Sequence, residues 1–135
     1  MDWDAKRFYQ ELDQRYSRGL EEVERFLLES RGAFRETENA AGLVAVHNEL
    51  GSFYRGTSRY AESLEAFQAA GEEIVCRMGA DCVEYATLLN NMAGTYRLMG
   101  RPAEALELFR QAIDIYQSQN AEDSYAFVSV LNNIS

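Results

Sequence analysis

The side chains that most often catalyse reactions or bind metals are few in this sequence and lie far apart. There is one histidine, His47, and there are two cysteines, Cys76 and Cys82, with five residues between them. Two thiols and a distant imidazole do not make the four-ligand set of a zinc site. No acid, base and nucleophile occur at a recognisable spacing. We therefore predict that the chain is not an enzyme and holds no metal or cofactor.

His47 and the cysteines are better explained by packing. The sequence shift that superposes Asn48 on Asn90 also superposes His47 on Leu89, which predicts a position in or near a hydrophobic core; a second shift of the same size reaches Leu131. A cysteine in a reducing compartment usually behaves as a small hydrophobic residue. The two cysteines flank Gly79 and could approach each other, so their redox state stays open.

Asparagines form a pattern of a different kind. Asn48, Asn90 and Asn132 are equally spaced, and Asn91 and Asn133 follow the last two. We call the step from each of these three to the next the repeat shift. Asn is a mediocre helix former, so three in register have no local explanation. A carboxamide both donates and accepts hydrogen bonds, so it suits the backbone of an extended peptide. The alternative is that some of these amides join neighbouring parts of the protein.

Two arginines are related by the same repeat shift. Arg55 and Arg97 lie one helical turn beyond Ser52 and Gly94, small residues that would leave open space nearby. The guanidinium groups could meet an acidic side chain or a carboxylate. Alternatively, each stem lies over the tyrosine that precedes it, with the charged head in water.

The elements that position these side chains are clearest in residues 85–117. Apolar residues recur there at three- and four-residue steps in two runs, which predicts two helices. Residues 100–102, Gly-Arg-Pro, interrupt the pattern. Helices joined by so short a turn must lie antiparallel, and Ala93, Ala105 and Ala112 would let their axes come close.

This segment has one copy before it in the chain and the start of another after it. One repeat shift backwards pairs Tyr96 with Tyr54 and Phe109 with Phe67, and one forwards places residues 131–135 on residues 89–93. The chain is therefore a repeat array. We expect it to stop inside a repeat, either as an excerpt of a longer array or with another subunit covering the exposed edge.

The repeated pattern resembles the tetratricopeptide (TPR) repeat family. That pattern is Leu then Gly or Ala, Tyr three residues on, Gly at the turn, and Ala, Phe and Ala in the second helix. The corresponding residues are Leu50, Gly51, Tyr54, Ser58, Ser63, Phe67 and Ala70 in one copy and Met92, Ala93, Tyr96, Gly100, Ala105, Phe109 and Ala112 in the other. The usual period is about 34 residues. The longer period of this chain and the strings LNNMA and LNNIS resemble the subclass of the kinesin light chain and many bacterial TPR proteins.

The resemblance implies an all-α fold, a right-handed superhelix of antiparallel helix pairs with about seven helices. One domain would span residues 1–135. Residues 1–36 would form a degenerate repeat or capping helices, residues 39–79 and 81–120 would form two repeats, and residues 122–135 the first helix of an incomplete repeat.

The first helix of each repeat lines the concave groove in this family. The resemblance therefore implies a peptide-binding groove formed by Asn48, Ser52, Arg55, Asn90, Asn91, Gly94, Arg97, Asn132 and Asn133. The chaperone-tail-binding members hold a terminal carboxylate with Lys and Arg at inner positions. Here those positions carry Asn48, Ser52, Asn91, Ser129 and Asn133, so we do not expect that specificity.

Several boundaries are predicted from local signals. Residues 3–31 carry a helical apolar stripe, which a turn near Gly19 would divide into two helices; one long helix is the alternative. Residues 32–39 are polar and predict a loop, with Thr37 or Asn39 as a helix cap. Between the repeats, Asp81 and Glu84 resemble a capping box.

Composition limits the partners and the location. A chain of 135 residues with 47% hydrophobic residues can bury a core. A net charge of −9 makes nucleic acid an unsuitable partner, because binding it depends on clustered Lys and Arg. No apolar run is long enough to span a membrane. We expect a cytoplasmic protein without membrane association.

These observations predict a non-catalytic scaffold that binds a peptide or a partner protein in its concave groove. Two alternatives stay open. The first is a structural element that forms a homo-oligomer through its exposed C-terminal repeat edge. The second is the peptide-sensing part of a bacterial regulator.

Overall fold

The computed structural model describes residues 3–119, and all the regular secondary structure in that range is α-helical. The helices are α1 (Ala5–Arg18), α2 (Leu20–Glu36), α3 (Ala40–Gly56), α4 (Tyr60–Met78), α5 (Val83–Leu98) and α6 (Pro102–Ser118). Consecutive helices pack against each other, and α3 also contacts α5. The predicted all-α solenoid is confirmed. The helix expected at residues 122–135 lies outside the described residues.

The α3–α4 and α5–α6 hairpins turn in the same way. The backbone N–H of Arg59 donates to the Tyr54 carbonyl at 2.8 Å, and that of Arg101 donates to the Tyr96 carbonyl at 2.9 Å. These bonds close the last turn of each first helix in a Schellman-type arrangement. The residue before each donor has a positive φ, 62° at Ser58 and 74° at Gly100, so Ser58 keeps the turn that Gly makes in the other copy.

The start of the chain forms two helices that break at Gly19. Its φ of 125° is one that residues with a side chain rarely adopt. Asp4 caps α1 by accepting a hydrogen bond from the Arg7 N–H at 3.1 Å. Buried residues of both helices, among them Phe8 and Phe26, share one hydrophobic cluster with residues of α3.

The loop predicted for residues 32–39 is wrong over residues 32–36, where α2 continues to Glu36. Phe34 is fully buried and anchors this last turn, and the polar residues around it form the exposed side of the helix. Asn39 then caps α3, because its side chain accepts a hydrogen bond from the Gly42 N–H at 3.0 Å.

The predicted capping box is also wrong. The residue that precedes α5 is Cys82, and its side chain makes no capping hydrogen bond. Asp81 is exposed, and its backbone carbonyl accepts a hydrogen bond from the Gln119 side chain at 2.8 Å. The loop is therefore tied to the end of α6 rather than to the start of α5.

Close packing holds each hairpin together. In α5–α6 the small residues Ala93, Ala105 and Ala112 are buried, as predicted. In α3–α4 the ring of Phe67 packs directly on Gly51, since a Cβ added there would lie 2.5 Å from it. In residues 3–119 no helix has the length and apolar character needed to cross a bilayer.

Candidate binding face on the first helices

Most of the predicted groove residues lie in two parallel stripes, one on α3 and one on α5. They recur at three- or four-residue steps, so each set shares one side of its helix. The stripe on α3 consists of Asn48, Ser52 and Arg55, and that on α5 consists of Asn91, Gly94 and Arg97. Only Arg97 is exposed, while the other five are half-buried.

Arg55 joins the two stripes. Its Nη1 donates a hydrogen bond to the backbone carbonyl of Asn91 at 3.1 Å, and its guanidinium carbon lies 6.0 Å from the ring centroid of Phe67. A Cβ on Gly94 would lie 3.0 Å from the same nitrogen. The space that Gly94 leaves is therefore used by Arg55 of the neighbouring repeat.

The two arginines of this face influence each other. Burial, and then the positive charge of Arg97, lowers the pKa of Arg55 below its ordinary value. A guanidinium has five N–H donors, so the bond to Asn91 leaves others for a ligand. An anionic group placed near both arginines would relieve their mutual repulsion.

An arginine lies over each of the two tyrosines, but these arginines are not Arg55 and Arg97. Arg59 lies over the Tyr54 ring at 4.4 Å, and Arg101 lies over the Tyr96 ring at 5.2 Å. Arg59 also binds Glu24 of α2 at 2.9 Å. A signal for this was present, because the repeat shift relates the two arginines and each is followed three positions later by a glutamate.

The asparagines in register have different surroundings. Asn90 is only 9% exposed, so little of its amide is accessible to a ligand. Asn48 is half-buried, and its Oδ1 is shielded from solvent without a hydrogen-bond partner. Asn132 and Asn133 lie outside the described residues. Asn48 and Asn90, the two described members of the equally spaced set, therefore do not have equivalent environments.

An acidic and aromatic patch lies at the other edge of α3, which the sequence analysis missed. Burial, and then the charge of Asp13 on α1, raises the pKa of Glu49. Burial and the charge of Glu49 raise the pKa of Tyr9 and of Tyr16, which are 40% and 44% exposed. The signal was that Glu49 corresponds to Asn91 in the next copy. The face is thus acidic towards α1 and basic towards α5.

The remaining candidate side chains do not converge. His47 is 5% exposed, which confirms its predicted core position. Both cysteines are free thiols; Cys76 is exposed, and the Cys82 thiol donates to the Gly79 carbonyl at 3.5 Å. Within residues 3–119, no three His, Cys, Asp or Glu side chains are grouped so as to hold a metal ion.

Comparison with known proteins agrees with this architecture. The tetratricopeptide repeat family model matches residues 42–118. None of the curated protein sequences matches the chain. The chain is similar to the crystal structure of BtubC (BKLC) from P. vanneervenii, with a TM-score of 0.79 and 21% sequence identity over 96% of this chain and 52% of that chain.

The chain thus spans about half the length of BtubC, and at this identity the likeness shows the fold. The family model carries the assignment further, because it matches more than half of the 135 residues and covers most of both complete copies of the repeat. The predicted family is confirmed: the chain belongs to the tetratricopeptide repeat family.

Proposed function

We propose that the chain is a non-catalytic scaffold that binds an extended segment of a partner protein across α1, α3 and α5. Tetratricopeptide repeats generally mediate protein–protein interaction and are generally a non-catalytic fold. We assign this general role to one face of the chain and to named residues on it.

The unpartnered oxygen of Asn48 supports this proposal most directly. Oδ1 is buried and accepts no hydrogen bond from any described residue. A buried acceptor left in this state costs about 1–3 kcal/mol. The Asn48 amide must turn outward to present this oxygen; a backbone N–H of a bound segment then supplies the missing donor, and binding recovers free energy that the unbound protein lacks.

The charges of the face support one orientation of the segment. Glu49 and Asp13 lie towards α1, and Arg55 and Arg97 lie towards α5. A segment with a basic residue near one end and an acidic residue near the other complements this arrangement. Packed helix axes are about 8–10 Å apart. Crossing from α1 to α5 therefore takes at least about 16–20 Å, the length of about five or six extended residues or more.

The experiment is selection of binding peptides from a displayed random library, followed by affinity measurements with purified variants. Selected peptides are expected to carry a basic and an acidic residue at least about five or six positions apart. Asn48→Ala should weaken binding about fivefold, since a neutral hydrogen bond contributes about 1 kcal/mol. Gln117→Ala, which changes an exposed amide on α6, is the matched control and should bind normally.

Two results would contradict the proposal. One is a set of peptides without the charge pattern, and the other is equal affinity for Asn48→Ala and the unmodified protein. Circular dichroism must show that Asn48→Ala keeps its helices. The alternative of self-association stays a prediction, because the edge it requires lies outside the described residues. A regulatory peptide sensor also stays a prediction.

A further inference from the structure

A second candidate site lies among α2, α3 and α4 and is separate from the binding face. A cavity of about 320 Å³ lies between these helices. The lining residues that matter here are Arg31 and Arg35 of α2, His47 and Tyr54 of α3, and Glu62 and Glu65 of α4. We call this space the His47 cavity.

The imidazole of His47 contributes an unsatisfied polar group to this lining. The side chain is 5% exposed, and its Nδ1 is buried without a hydrogen-bond partner. The Leu43 carbonyl, one turn earlier on the same helix, opposes the lowering of the His47 pKa, but it does not lie in full hydrogen-bond geometry with Nδ1. Nδ1 is enclosed by protein, whereas the other ring nitrogen, Nε2, is not enclosed and forms no hydrogen bond with a described residue, so a ligand in the cavity would meet the ring at Nε2.

Two arginines face this histidine from α2. Arg31 and Arg35 are one helical turn apart, and their charges, after burial, are the next causes that lower the pKa of His47 to about 4. Neither arginine side chain forms an ion pair or hydrogen bond with any residue in the range 3–119. Two guanidinium groups at this spacing can bind a carboxylate by paired N–H···O bonds.

The opposite wall is acidic, and this narrows the choice of ligand. Glu62 is already held by Arg59, with an N···O distance of 2.6 Å. Glu65 is exposed and has no ion-pair partner among the described residues. A doubly charged anion such as phosphate would be repelled by this wall. A molecule with a carboxylate at one end and an ammonium group at the other would match both walls.

We propose that the His47 cavity binds a small zwitterion of the size of an amino acid. Arg31 and Arg35 hold its carboxylate, His47 makes a hydrogen bond at the floor, and Glu65 receives its ammonium group. The cavity volume of about 320 Å³ accommodates a molecule of this size. This inference goes beyond the proposed function, since none of these residues belongs to the binding face.

The test uses the histidine itself as the reporter. His47 is the only histidine of the chain, so a ¹⁵N-labelled sample gives one imidazole signal without further assignment. The common L-amino acids are titrated singly, beside acetate, methylamine and inorganic phosphate. We expect at least one amino acid to shift the imidazole signal saturably, and the three probes that carry charge of only one sign to shift it much less.

Variants separate binding from general effects of charge. The double variant Arg31→Gln, Arg35→Gln should weaken the amino-acid response about tenfold or more, because charge-assisted hydrogen bonds to the carboxylate are lost. Arg110→Gln, an exposed arginine on α6 without an ion pair in the described range, is the matched control and should respond normally. His47→Leu should lose binding measured by calorimetry, and it should fold because Leu89 fills this place in the next copy.

Three outcomes would overturn the inference. The first is that no amino acid shifts the signal at millimolar concentration. The second is an equal response in the double variant and in Arg110→Gln. The third is that acetate or phosphate binds as tightly as the best amino acid, which would mean a simple anion site. Peptide affinity at the binding face should be unchanged by the double variant, so failure here is distinguishable from failure of the proposed function.

Discussion

Two junctions between successive helix pairs form half-open cavities of different chemistry. The His47 cavity lies between α2, α3 and α4, and a second cavity of about 550 Å³ lies between α4, α5 and α6. The repeat shift relates parts of their linings, for it takes His47 to Leu89 and Ala66 to Leu108. The second lining is mainly apolar and includes Met92. The same backbone arrangement therefore forms a charged cavity between α2, α3 and α4 and an apolar cavity between α4, α5 and α6.

This difference separates residues that form the fold from residues that supply chemistry. Phe67, Ala70 and their counterparts in the next copy are all buried. Arg59 repeats as well, and in both copies the arginine covers a tyrosine. By contrast, the unsatisfied nitrogen of His47 and the carboxylate pair of Glu49 and Asp13 arise at positions where the copies differ. Around the two cavities and at the acidic edge of α3, repeated residues indicate packing and unmatched residues indicate candidate sites; Asn48 and Arg55 of the binding face are repeated and are the exception.

Leu89→His, which places a histidine in the second, apolar cavity, should have the largest effect on stability. Leu89 is 3% exposed and belongs to the core of the α5–α6 hairpin. Leu89→His loses about 1.5–3 kcal/mol of apolar burial and adds a poorly satisfied polar group at about 1–3 kcal/mol. We expect the free energy of unfolding in urea to fall by about 3–5 kcal/mol.

The reciprocal variant is the control for this exchange. His47→Leu removes an unsatisfied nitrogen and adds apolar burial, so the free energy of unfolding should rise by about 1 kcal/mol. If Leu89→His lowers the free energy of unfolding by less than about 1 kcal/mol, the low end of the desolvation penalty, a buried histidine is tolerated as well in the second cavity as in the first. The contrast between the two junctions would then have no energetic basis.

The acid dependence of stability is the next largest effect. The pKa of His47 is lowered from 6.5 to about 4, first by burial and then by Arg35 and Arg31. Below about pH 6.5 the unfolded chain takes up a proton that the folded chain refuses until about pH 4. Stability is therefore lost as pH falls through this window and is unaffected by His47 above it. At about 1.36 kcal/mol per pH unit, the loss approaches about 3 kcal/mol.

Urea denaturation at several pH values, in the unmodified protein and in His47→Leu, measures this contribution. Glu49 acts in the opposite direction, because its raised pKa lets the folded chain take up a proton first as pH falls. The difference between the two proteins cancels that contribution and isolates His47. Parallel curves from neutral pH down to the folded-state pKa of His47 would show that the imidazole is protonated equally in the folded and unfolded states.

Much of the fold follows from sequence spacing, since helical periodicity and the repeat shift can both be read directly from the order of residues. The turn at Gly100 and the buried Ala93 were both predictable in this way. The end of α2 was not, because Phe34 anchors that turn by packing against residues of another helix, including Gly42. The absent capping box has a similar cause, for Asp81 interacts with Gln119 instead.

The candidate sites were less predictable, because each depends on groups brought together by the fold. Arg55 was identified by its repetition, yet its partner is the backbone carbonyl of Asn91 on another helix, which no side-chain pattern reveals. The position of His47 in the repeat correctly predicted that the side chain is buried, but it did not predict that a ring nitrogen lacks a hydrogen-bond partner. Glu49 could not be identified from repetition, because it corresponds to Asn91 in the next copy.

The contact between Gly51 and Phe67 is a further difference between the two hairpins. Gly51 and Ala93 occupy matched positions, but a methyl group on Gly51 would lie 2.5 Å from the buried ring of Phe67. Gly51→Ala should therefore lower the free energy of unfolding by about 2 kcal/mol, as expected for overpacking. Ala93→Gly should cost about 1.5 kcal/mol, of which about 0.5–1 comes from lost helix propensity and about 0.8 from the lost buried methyl. A stabilised Gly51→Ala would show that Phe67 can move and that this contact does not require a glycine.

The smallest expected effect concerns a polar contact between the two repeats. The Ser63 hydroxyl of α4 donates to the Gly51 carbonyl at 2.7 Å and lies 3.1 Å from Oγ1 of Thr95 on α5. Both side chains are fully buried, and the counterpart of Ser63 in the next copy is Ala105. Ser63→Ala should lower the free energy of unfolding by about 1 kcal/mol, because the Thr95 hydroxyl loses a partner.

A double-mutant cycle with Thr95→Val distinguishes this hydrogen bond from simple loss of volume. Valine keeps the shape of threonine without its hydroxyl, so the double variant should be more stable than the sum of the single effects by about 0.5–1 kcal/mol. Additive effects would mean that the two hydroxyls do not depend on each other. In that case an unmatched residue at this junction would mark only sequence drift, and the rule drawn from the two cavities would apply to His47 and Glu49 alone.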